Sequence, residues 1–294
     1  MNCVGWVGLG IMGQPMARNL LKAGFRVVGY SRTKAKVDEL VAAGGEAAQS
    51  PADVARRVEV TITMVPDAPD VESVLFGTDG VAEAAQPGHV VVDMSTISPA
   101  ATRLFAQRLA LRGIEMLDAP VSGGESGARE GTLSIMVGGK EEVFVRCRPI
   151  FEALGRKITF MGAHGRGQMT KLCNQVAGAL TLQSVVEALL LAHAGGLDLH
   201  RVIEALSAGS ADSWNLRKQG PKMLARDFAP GFFVRLQQKD LRIALETAAE
   251  LGIPLPGTAL VRELFRVVEA YGGGELGVQA LITALERMAA RSVG

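Results

Sequence analysis

The chain has 294 residues, of which 48% are hydrophobic, and this length is enough for about two domains with large apolar cores. Its 31 Lys and Arg residues nearly balance its 30 Asp and Glu residues, which argues against a protein that binds nucleic acid through a basic patch. Its three cysteines lack CxxC spacing and do not pair with the four histidines, so the sequence predicts no metal site and favours a reducing, cytoplasmic compartment. No uncharged apolar segment reaches about 18 residues, so we expect no membrane-spanning helix.

The first predicted elements are a strand, a glycine-rich turn and a helix. Cys3 to Val7 is a short apolar run, and Pro15 to Lys22 has helical periodicity. The turn between them has the GxGxxG pattern Gly8-Leu9-Gly10-Ile11-Met12-Gly13. In this context the pattern is typical of dinucleotide binding, because its glycines allow a tight turn, backbone approach to a pyrophosphate and packing of helix on strand. The alternative is a turn without a ligand.

The residues after the second predicted strand, Arg26 to Tyr30, select the cofactor. NAD-binding proteins place Asp or Glu here to bind the ribose 2′-hydroxyl, whereas this chain has Ser31-Arg32-Thr33. A planar guanidinium can stack on adenine and pair with a 2′-phosphate, and the two hydroxyls can donate hydrogen bonds to it. We therefore predict NADP as the preferred cofactor, with NAD as the alternative. In the other interpretation Arg32 is an exposed turn residue and Thr33 caps the next helix, Lys34 to Ala43.

Strands and helices then alternate to about residue 160, which favours an α/β Rossmann-type, doubly wound parallel sheet over residues 1–163. The predicted strands are Val58 to Val65, His89 to Met94, Ile114 to Leu117, Leu133 to Val137 and Lys157 to Phe160; the predicted helices are Val71 to Phe76, Pro99 to Arg112 and Glu141 to Leu154. Ligands bind such sheets outside the carboxyl ends of the strands. The candidate contacts at these ends, each of which could also be an ordinary loop residue, are Met64, Val65, Pro66, Asp67, Ser95, Thr96 and the segment Asp118 to Gly124.

Two later stretches suit a small carboxylate substrate. Ser122, Gly123 and Gly124 follow a strand and predict a concave run of backbone N–H groups, which suits a carboxylate. Gly165 and Gly167 then permit a tight turn before a helix.

Near the start of that helix Lys171, Asn174 and Gln175 share one face. An ammonium and two amides so placed fit an anionic carbonyl compound; the alternative is a solvated helix start with an exposed lysine.

The helical pattern of the remaining sequence predicts an all-α domain over residues 164–294. Its first helix, Gln168 to Gly195, is long enough to be the spine of the domain and part of a subunit interface. The further predicted helices are Leu199 to Ala208, Trp214 to Leu224, Leu236 to Leu251, Thr258 to Tyr271 and Val278 to Ala289. Lys239, at the start of one of them, either reaches back to the ligand or is a surface lysine.

Taken in order and spacing, these motifs resemble those of the β-hydroxyacid dehydrogenase family, which includes the 3-hydroxyisobutyrate dehydrogenases, and the resemblance covers the whole chain. It implies a Rossmann-type domain, an all-helical domain, an active site between them, and a homodimer or homotetramer built on the helical domains. It also implies that Lys171 is catalytic. The residues that match substrate contacts are Ser122, Gly123, Gly124, Asn174 and Gln175; those that match positions beside the cofactor are Thr96 and Lys239.

Within the family, two stretches resemble the branch that reduces tartronate semialdehyde (2-hydroxy-3-oxopropionate) to glycerate. One runs from Asp118 to Gly139, and the other has Gln175 where most relatives have a second Asn. The resemblance implies hydride transfer with Lys171 as general acid or base, for which its pKa must lie below the usual ~10.4. The alternatives are 3-hydroxyisobutyrate dehydrogenase activity or reduction of glyoxylate, succinic semialdehyde or methylmalonate semialdehyde. In another class, the chain would be a cofactor-binding scaffold without catalysis.

Overall fold

The computed structural model describes residues 2–293, and the chain divides into two compact units, Met1–Lys171 and Leu172–Gly294. The first unit contains a sheet with helices, and the second consists of helices. The expected fold class, a Rossmann-type α/β sheet followed by an all-α part, is confirmed. The domain boundary after residue 163 stays a prediction.

One sheet organises the first unit. Its strands are β1 (Cys3–Val7), β2 (Arg26–Tyr30), β3 (Glu46–Ala47), β4 (Val60–Thr63), β5 (Val90–Asp93), β6 (Glu115–Asp118), β7 (Val121–Ser122), β8 (Leu133–Gly139) and β9 (Gly155–Gly162). Six of them are parallel in the order β3-β2-β1-β4-β5-β6, which is the strand order of the Rossmann fold. Strands β4 and β5 are buried along their whole length, as parallel strands covered on both faces are.

The other end of the sheet departs from the expected parallel order. β8 pairs antiparallel with β6, where Leu117 faces Gly139 and Asp118 faces Gly138, and it also pairs antiparallel with β7. The reversal occurs because the chain turns back through β7 after Asp118, so that β8 enters the sheet at the carboxyl end of β6. β9 then runs parallel to β8.

The helices of the first unit cover the sheet. They are α1 (Gly13–Lys22), α2 (Lys34–Ala42), α3 (Pro51–Arg57), α4 (Ala68–Phe76), α5 (Val81–Ala84), α6 (Pro99–Ala110), α7 (Gly124–Glu130) and α8 (Glu141–Leu154). Helices α3, α5 and α7 and strands β3 and β7 were not predicted, because they are too short to show a period. The cap of α3 was readable nevertheless: Ser50 Oγ accepts a hydrogen bond of 3.1 Å from Asp53 N, and Pro51 opens the helix.

Helices and two 3₁₀ turns form the second unit. α9 (Arg166–Ala194) begins before it and continues through it, followed by α10 (Leu199–Ser207), α11 (Trp214–Leu224), α12 (Val234–Glu250), α13 (Pro256–Ala270), the 3₁₀ turns Gly273–Glu275 and Val278–Leu281, and α14 (Ile282–Ala289). The predicted last helix thus starts with a 3₁₀ turn. The core of this unit includes Val186, Leu189 and Phe265, none of which is exposed to solvent.

Helix α9 bears on the expectation that no segment spans a membrane. Among residues 2–293 it is the one helix that is long and apolar enough to do so by length and composition alone. The core helix of a globular unit has the same composition, and 39% of the apolar window in α9 is buried. In its middle Gln183 donates a hydrogen bond of 2.7 Å to Glu187. The absence of a membrane partner therefore stays a prediction.

Candidate active site

The three glycines of the turn between β1 and α1 have three different environments. Gly8 has φ +101°, and a Cβ there would lie 2.2 Å from the carbonyl oxygen of Met64. A Cβ on Gly13 would lie 2.0 Å from the carbonyl oxygen of Gly8, so α1 could not approach the strand. A Cβ on Gly10 would meet no atom within 4 Å. The fold thus requires Gly8 and Gly13, whereas the open space at Gly10 fits a backbone kept accessible to a ligand.

Hydrogen bonds hold the Gly8 end of this turn, whereas no side chain caps the start of α1. The buried indole of Trp6 donates a hydrogen bond of 3.0 Å to the carbonyl of Gly8, and Gly8 N donates one of 2.9 Å to Tyr30 O. Met12, the N-cap residue, makes no side-chain hydrogen bond to the first turn of α1. Together with the positive end of the helix dipole, this arrangement can hold a pyrophosphate. Leu9 is buried, and Ile11 is partly exposed beside it.

Ser31, Arg32 and Thr33 directly follow the carboxyl end of β2. The side chain of Arg32 is 80% exposed, and its Nη2 lies 3.3 Å from Oδ1 of Asp70 on α4. Thr33 N donates a hydrogen bond of 3.4 Å to Ser31 Oγ. Thr33 is the N-cap residue of α2, but its hydroxyl makes no capping hydrogen bond, so the side-chain cap of the alternative interpretation is wrong. Its other part, an exposed Arg32, agrees with the structure, and a ligand contact of Arg32 stays a prediction. A guanidinium held by one partly exposed carboxylate remains able to pair with a phosphate.

Two loops at the carboxyl ends of β4 and β5 are tied together. Val65 N donates a hydrogen bond of 3.0 Å to the hydroxyl of Ser95, which is buried. The hydroxyl of Ser95 is therefore engaged in a hydrogen bond inside the protein, and the expectation that Ser95 contacts a ligand is wrong. Met64, Val65 and Thr96 are partly exposed beside this contact, and Pro66 is exposed.

Hydrogen-bonded polar side chains lie at the last residues of β4 and β5, just before these loops. Oδ1 of Asp93, on β5, accepts hydrogen bonds from the hydroxyl of Thr63 (2.7 Å) and from Ser95 N (3.1 Å). Its Oδ2 has no partner, and the side chain is fully buried. Burial raises the pKa of Asp93 to about 6, against the opposing effect of the two hydrogen bonds. In the sheet Asp93 stands beside Asp118 of β6.

Asp118 caps the start of α9 instead of facing a ligand. Its Oδ1 accepts a hydrogen bond of 2.9 Å from Gly165 N, and its Oδ2 accepts one of 2.9 Å from Gln168 N. Asp118 is fully buried, and this burial raises its pKa, while the two N–H donors lower it. The expectation that Asp118 contacts cofactor or substrate is therefore wrong. The capping role was not predictable from the sequence, because the two partners of Asp118 lie far along the chain.

Gln168, in the first turn of α9, contacts the loop after β5. Its Oε1 accepts a hydrogen bond of 3.2 Å from Ile97 N, and its Nε2 donates one of 2.8 Å to Ser95 O. Gln168 is fully buried, and Lys171, three residues further along α9, is only 7% exposed. The alternative of a solvated helix start with an exposed lysine is thus wrong.

The predicted carboxylate-binding run has a regular structure. Ser122 ends β7, where it pairs with Ser134 of β8, and Gly123 is the N-cap residue of α7. Gly123 and Gly124 both have positive φ, +140° and +63°. All three predicted residues are partly exposed, so their backbone N–H groups can approach a small anion. Helix α7, which was not predicted, begins at Gly124.

In the second unit, the predicted site residues are joined by one buried carboxylate. Gln175 Nε2 donates a hydrogen bond of 2.6 Å to Asp240 Oδ2, and Asn174 Nδ2 donates one of 2.9 Å to Gln175 Oε1. Lys239 Nζ lies 2.9 Å from Asp240 Oδ1. Asp240 is fully buried and fixes which way the Gln175 amide points. The side chain of Lys239 is 13% exposed, so it is not a surface lysine.

Asp240 itself received no role from the sequence. The readable signal was its place on α12, where Gln237, Leu241 and Ala244 recur at helical spacing and are all buried. A carboxylate on such a face needs a partner. Among residues 2–293, no group of three His, Cys, Asp or Glu side chains could hold a metal ion.

Two family models match consecutive parts of the chain. The model of the NAD-binding domain of 6-phosphogluconate dehydrogenase matches residues 3–162. The model of the NAD-binding domain of NADP-dependent 3-hydroxyisobutyrate dehydrogenase matches residues 165–285.

Individual proteins are similar to nearly the whole chain. The 2-hydroxy-3-oxopropionate reductase of Escherichia coli strain K12 is 48% identical over 97% of this chain and 98% of its own. The structure of 3-hydroxyisobutyrate dehydrogenase from Mycobacterium tuberculosis with L-serine has a TM-score of 0.88 and 32% identity, covering 97% of this chain and 99% of the other. The structure of Psf3 with NADP⁺ and 2-OPP has a TM-score of 0.89 and 26% identity, covering 96% and 99%.

Proposed function

Because the chain belongs to the 3-hydroxyisobutyrate dehydrogenase-like family of NAD(P)-dependent β-hydroxyacid dehydrogenases, we propose that it reduces 2-hydroxy-3-oxopropionate to glycerate with NADPH. The observation that carries the proposal is the amide pair of Asn174 and Gln175 on α9, the helix that also bears the buried Lys171. Asp240 of α12 holds this pair through its hydrogen bond with Gln175. The sequence identity of 48% to a 2-hydroxy-3-oxopropionate reductase supports the choice of substrate.

In the proposed mechanism, the nicotinamide supplies the hydride when it is bound. Lys171 gives a proton to the carbonyl oxygen as negative charge develops there, and in the oxidative direction it takes the proton from the hydroxyl. Asn174 and Gln175 lie three and four residues after Lys171 on α9, so helical geometry directs them to the same face. Their amides orient the substrate hydroxyl, and the backbone of Ser122 to Gly124 binds the carboxylate.

The cofactor site in this proposal uses the open turn of β1 and α1. The six residues from Gly8 to Gly13 would hold the pyrophosphate, and Met64, Val65, Pro66, Thr96 and Lys239 would be further cofactor contacts. Arg32, with Ser31 and Thr33, binds the 2′-phosphate and makes NADP the preferred cofactor. Family membership supports NAD(P), and the preference for NADP is part of the proposal.

The proposal extends to assembly and location. We infer a homodimer or homotetramer in the cytoplasm, with a small carboxylate as the substrate. Leu191, Leu197 and Leu260 in the helical unit are more than half exposed, which supports an interface there.

An alternative within the family is oxidation of 3-hydroxyisobutyrate, which the match to the 3-hydroxyisobutyrate dehydrogenase model supports. Reduction of glyoxylate or succinic semialdehyde is a further alternative. A steady-state panel separates them: kcat/KM with NADPH and NADH for tartronate semialdehyde, glyoxylate, succinic semialdehyde and methylmalonate semialdehyde. We expect tartronate semialdehyde with NADPH to give the highest value. A preference for another aldehyde would refute the substrate, and cofactor binding without any turnover would indicate a scaffold.

The role of Lys171 has its own test. Lys171→Met should lower kcat by about 10²- to 10⁴-fold, the contribution typical of a general acid, while the Kd of NADPH stays within about twofold. Lys140→Met is the matched control, because Lys140 is a half-exposed lysine of the first unit that pairs with Glu115. We expect wild-type kcat for the control. Wild-type kcat in Lys171→Met would show that another group moves the proton.

A further inference from the structure

The first turn of α9 is held to the sheet by two buried side chains, Asp118 and Gln168, which we call the α9 clamp. Asp118 accepts hydrogen bonds of 2.9 Å from Gly165 N, immediately before α9, and from Gln168 N in its first turn. Gln168 bonds the loop after β5, through Ile97 N at 3.2 Å and Ser95 O at 2.8 Å. Neither side chain of the clamp is exposed. The start of α9 is thus attached to the carboxyl ends of two neighbouring strands.

The clamp has almost no room to shift. A Cβ on Gly138 would lie 2.6 Å from Oδ1 of Asp118, and a Cβ on Gly167 would lie 2.8 Å from its Oδ2. The same atom on Gly167 would lie 2.5 Å from the carbonyl oxygen of Met136. Two glycines therefore enclose the carboxylate, and the backbone of α9 rests directly against β8.

Lys171 follows Gln168 by three residues, so the two side chains leave α9 on neighbouring positions of one face. The loop that Gln168 holds continues from Ser95 into Thr96, a residue proposed to lie beside the cofactor. The clamp thereby fixes the helix position of Lys171 relative to that loop. For proton transfer such positioning matters greatly, because a displacement of ~1 Å can cost about 10²-fold in rate.

We propose that Asp118 and Gln168 are positioning residues that hold Lys171 in register for proton transfer. This inference rests on the proposed function, since it takes Lys171 as the general acid. Both side chains act through the helix and contact no reacting atom.

Two clamp variants and one control test the proposal. Gln168→Met removes both bonds to the loop at nearly constant length, and Asp118→Asn puts an N–H₂ group against one of the two N–H donors. We expect each to lower kcat by about 10- to 100-fold with the Kd of NADPH within about twofold. Thr61→Val is the control: Thr61 is fully buried, and its hydroxyl lies 3.0 Å from His89 Nε2. It should lower the thermal midpoint but leave kcat at the wild-type value. An equal loss of kcat in Thr61→Val would overturn the proposal, because the loss would then follow stability alone.

A double-mutant cycle decides whether the clamp acts through Lys171. In Gln168→Met combined with Lys171→Met, we expect kcat within about threefold of Lys171→Met alone, because a displaced lysine matters only where a lysine is present. Losses that multiply in the double variant would overturn the inference. Wild-type kcat in both clamp variants, with a large loss in Lys171→Met, would overturn the inference and leave the proposed function standing. Wild-type kcat in Lys171→Met would instead refute the proposed function.

Discussion

The buried carboxyl of Asp93 should make the stability of the first unit depend on pH in a defined direction. The pKa of Asp93 is about 6 in the folded protein, above the value of 3.8 for a free carboxyl, because burial disfavours the charge. Between pH 3.8 and about pH 6, the unfolded chain therefore releases a proton that the folded protein keeps. Stability contributed by the neutral carboxyl is present below this window and is lost as pH rises through it. The shift corresponds to about 3 kcal/mol, at ~1.4 kcal/mol per pKa unit.

Asp93→Asn isolates this contribution. The amide oxygen can still accept the hydrogen bonds from Thr63 and Ser95, and the position of Oδ2 has no partner in the wild type. The free energy of unfolding of the variant minus that of the wild type should rise by about 3 kcal/mol from the lower to the upper end of the window and stay constant above it.

Urea unfolding measured by Trp6 fluorescence in a Trp214→Phe background reports the first unit, because Trp6 is fully buried there. Burial lowers the pKa of His89 to about 4, so the stability that its neutral imidazole contributes is lost as pH falls from 6.5 toward 4. This effect is present in both proteins and cancels in the difference. A difference that is the same at every pH would show that Asp93 titrates as a free carboxyl and refute the reasoning.

Further predictions concern the cofactor. Gly10→Ala should raise the Kd of NADPH about tenfold and leave the thermal midpoint unchanged, because the added Cβ meets no protein atom within 4 Å. The matched variant Gly13→Ala should lower the thermal midpoint by several degrees, because its Cβ collides with the carbonyl oxygen of Gly8. Similar thermal midpoints in both variants would contradict this division. Arg32→Ala should raise the KM of NADPH about tenfold and leave that of NADH unchanged. Asp70→Asn should lower the Kd of NADPH by about two- to fivefold, because it removes a carboxylate that competes for the guanidinium, and a raised Kd would mean that Asp70 orients Arg32 instead.

Local patterns were enough to predict the elements with sharp boundaries. β1 and β2 are short apolar runs next to glycines, and α8 and α11 have clear helical periods, so all four have the predicted bounds. The direction of β8 was not predictable, because the hydrophobic pattern of a strand is the same in either orientation. The short elements α3, α5 and α7 have too few residues for a period, although Ser50 and Pro51 marked one of them.

The site shows the same division between local and distant information. The glycine turn and the polar face of α9 depend on spacing within about ten residues, so the sequence predicts them directly. Asp118 and Asp240 act on residues that lie 47 to 65 positions away in the chain, and no local pattern announces such a partner. Both carboxylates are fully buried, and their hydrogen-bond partners are evident only in the folded structure.

The enclosure of Asp118 by two glycines has a consequence for how this sequence can change. A larger residue at Gly138 or Gly167 would collide with the carboxylate, and loss of the carboxylate alone would leave two buried N–H groups without an acceptor. Single substitutions at any of the three positions therefore meet a penalty that only a second change could relieve. Mutational libraries should show strong epistasis among the three positions, and engineered variants of this protein would have to alter them as a set.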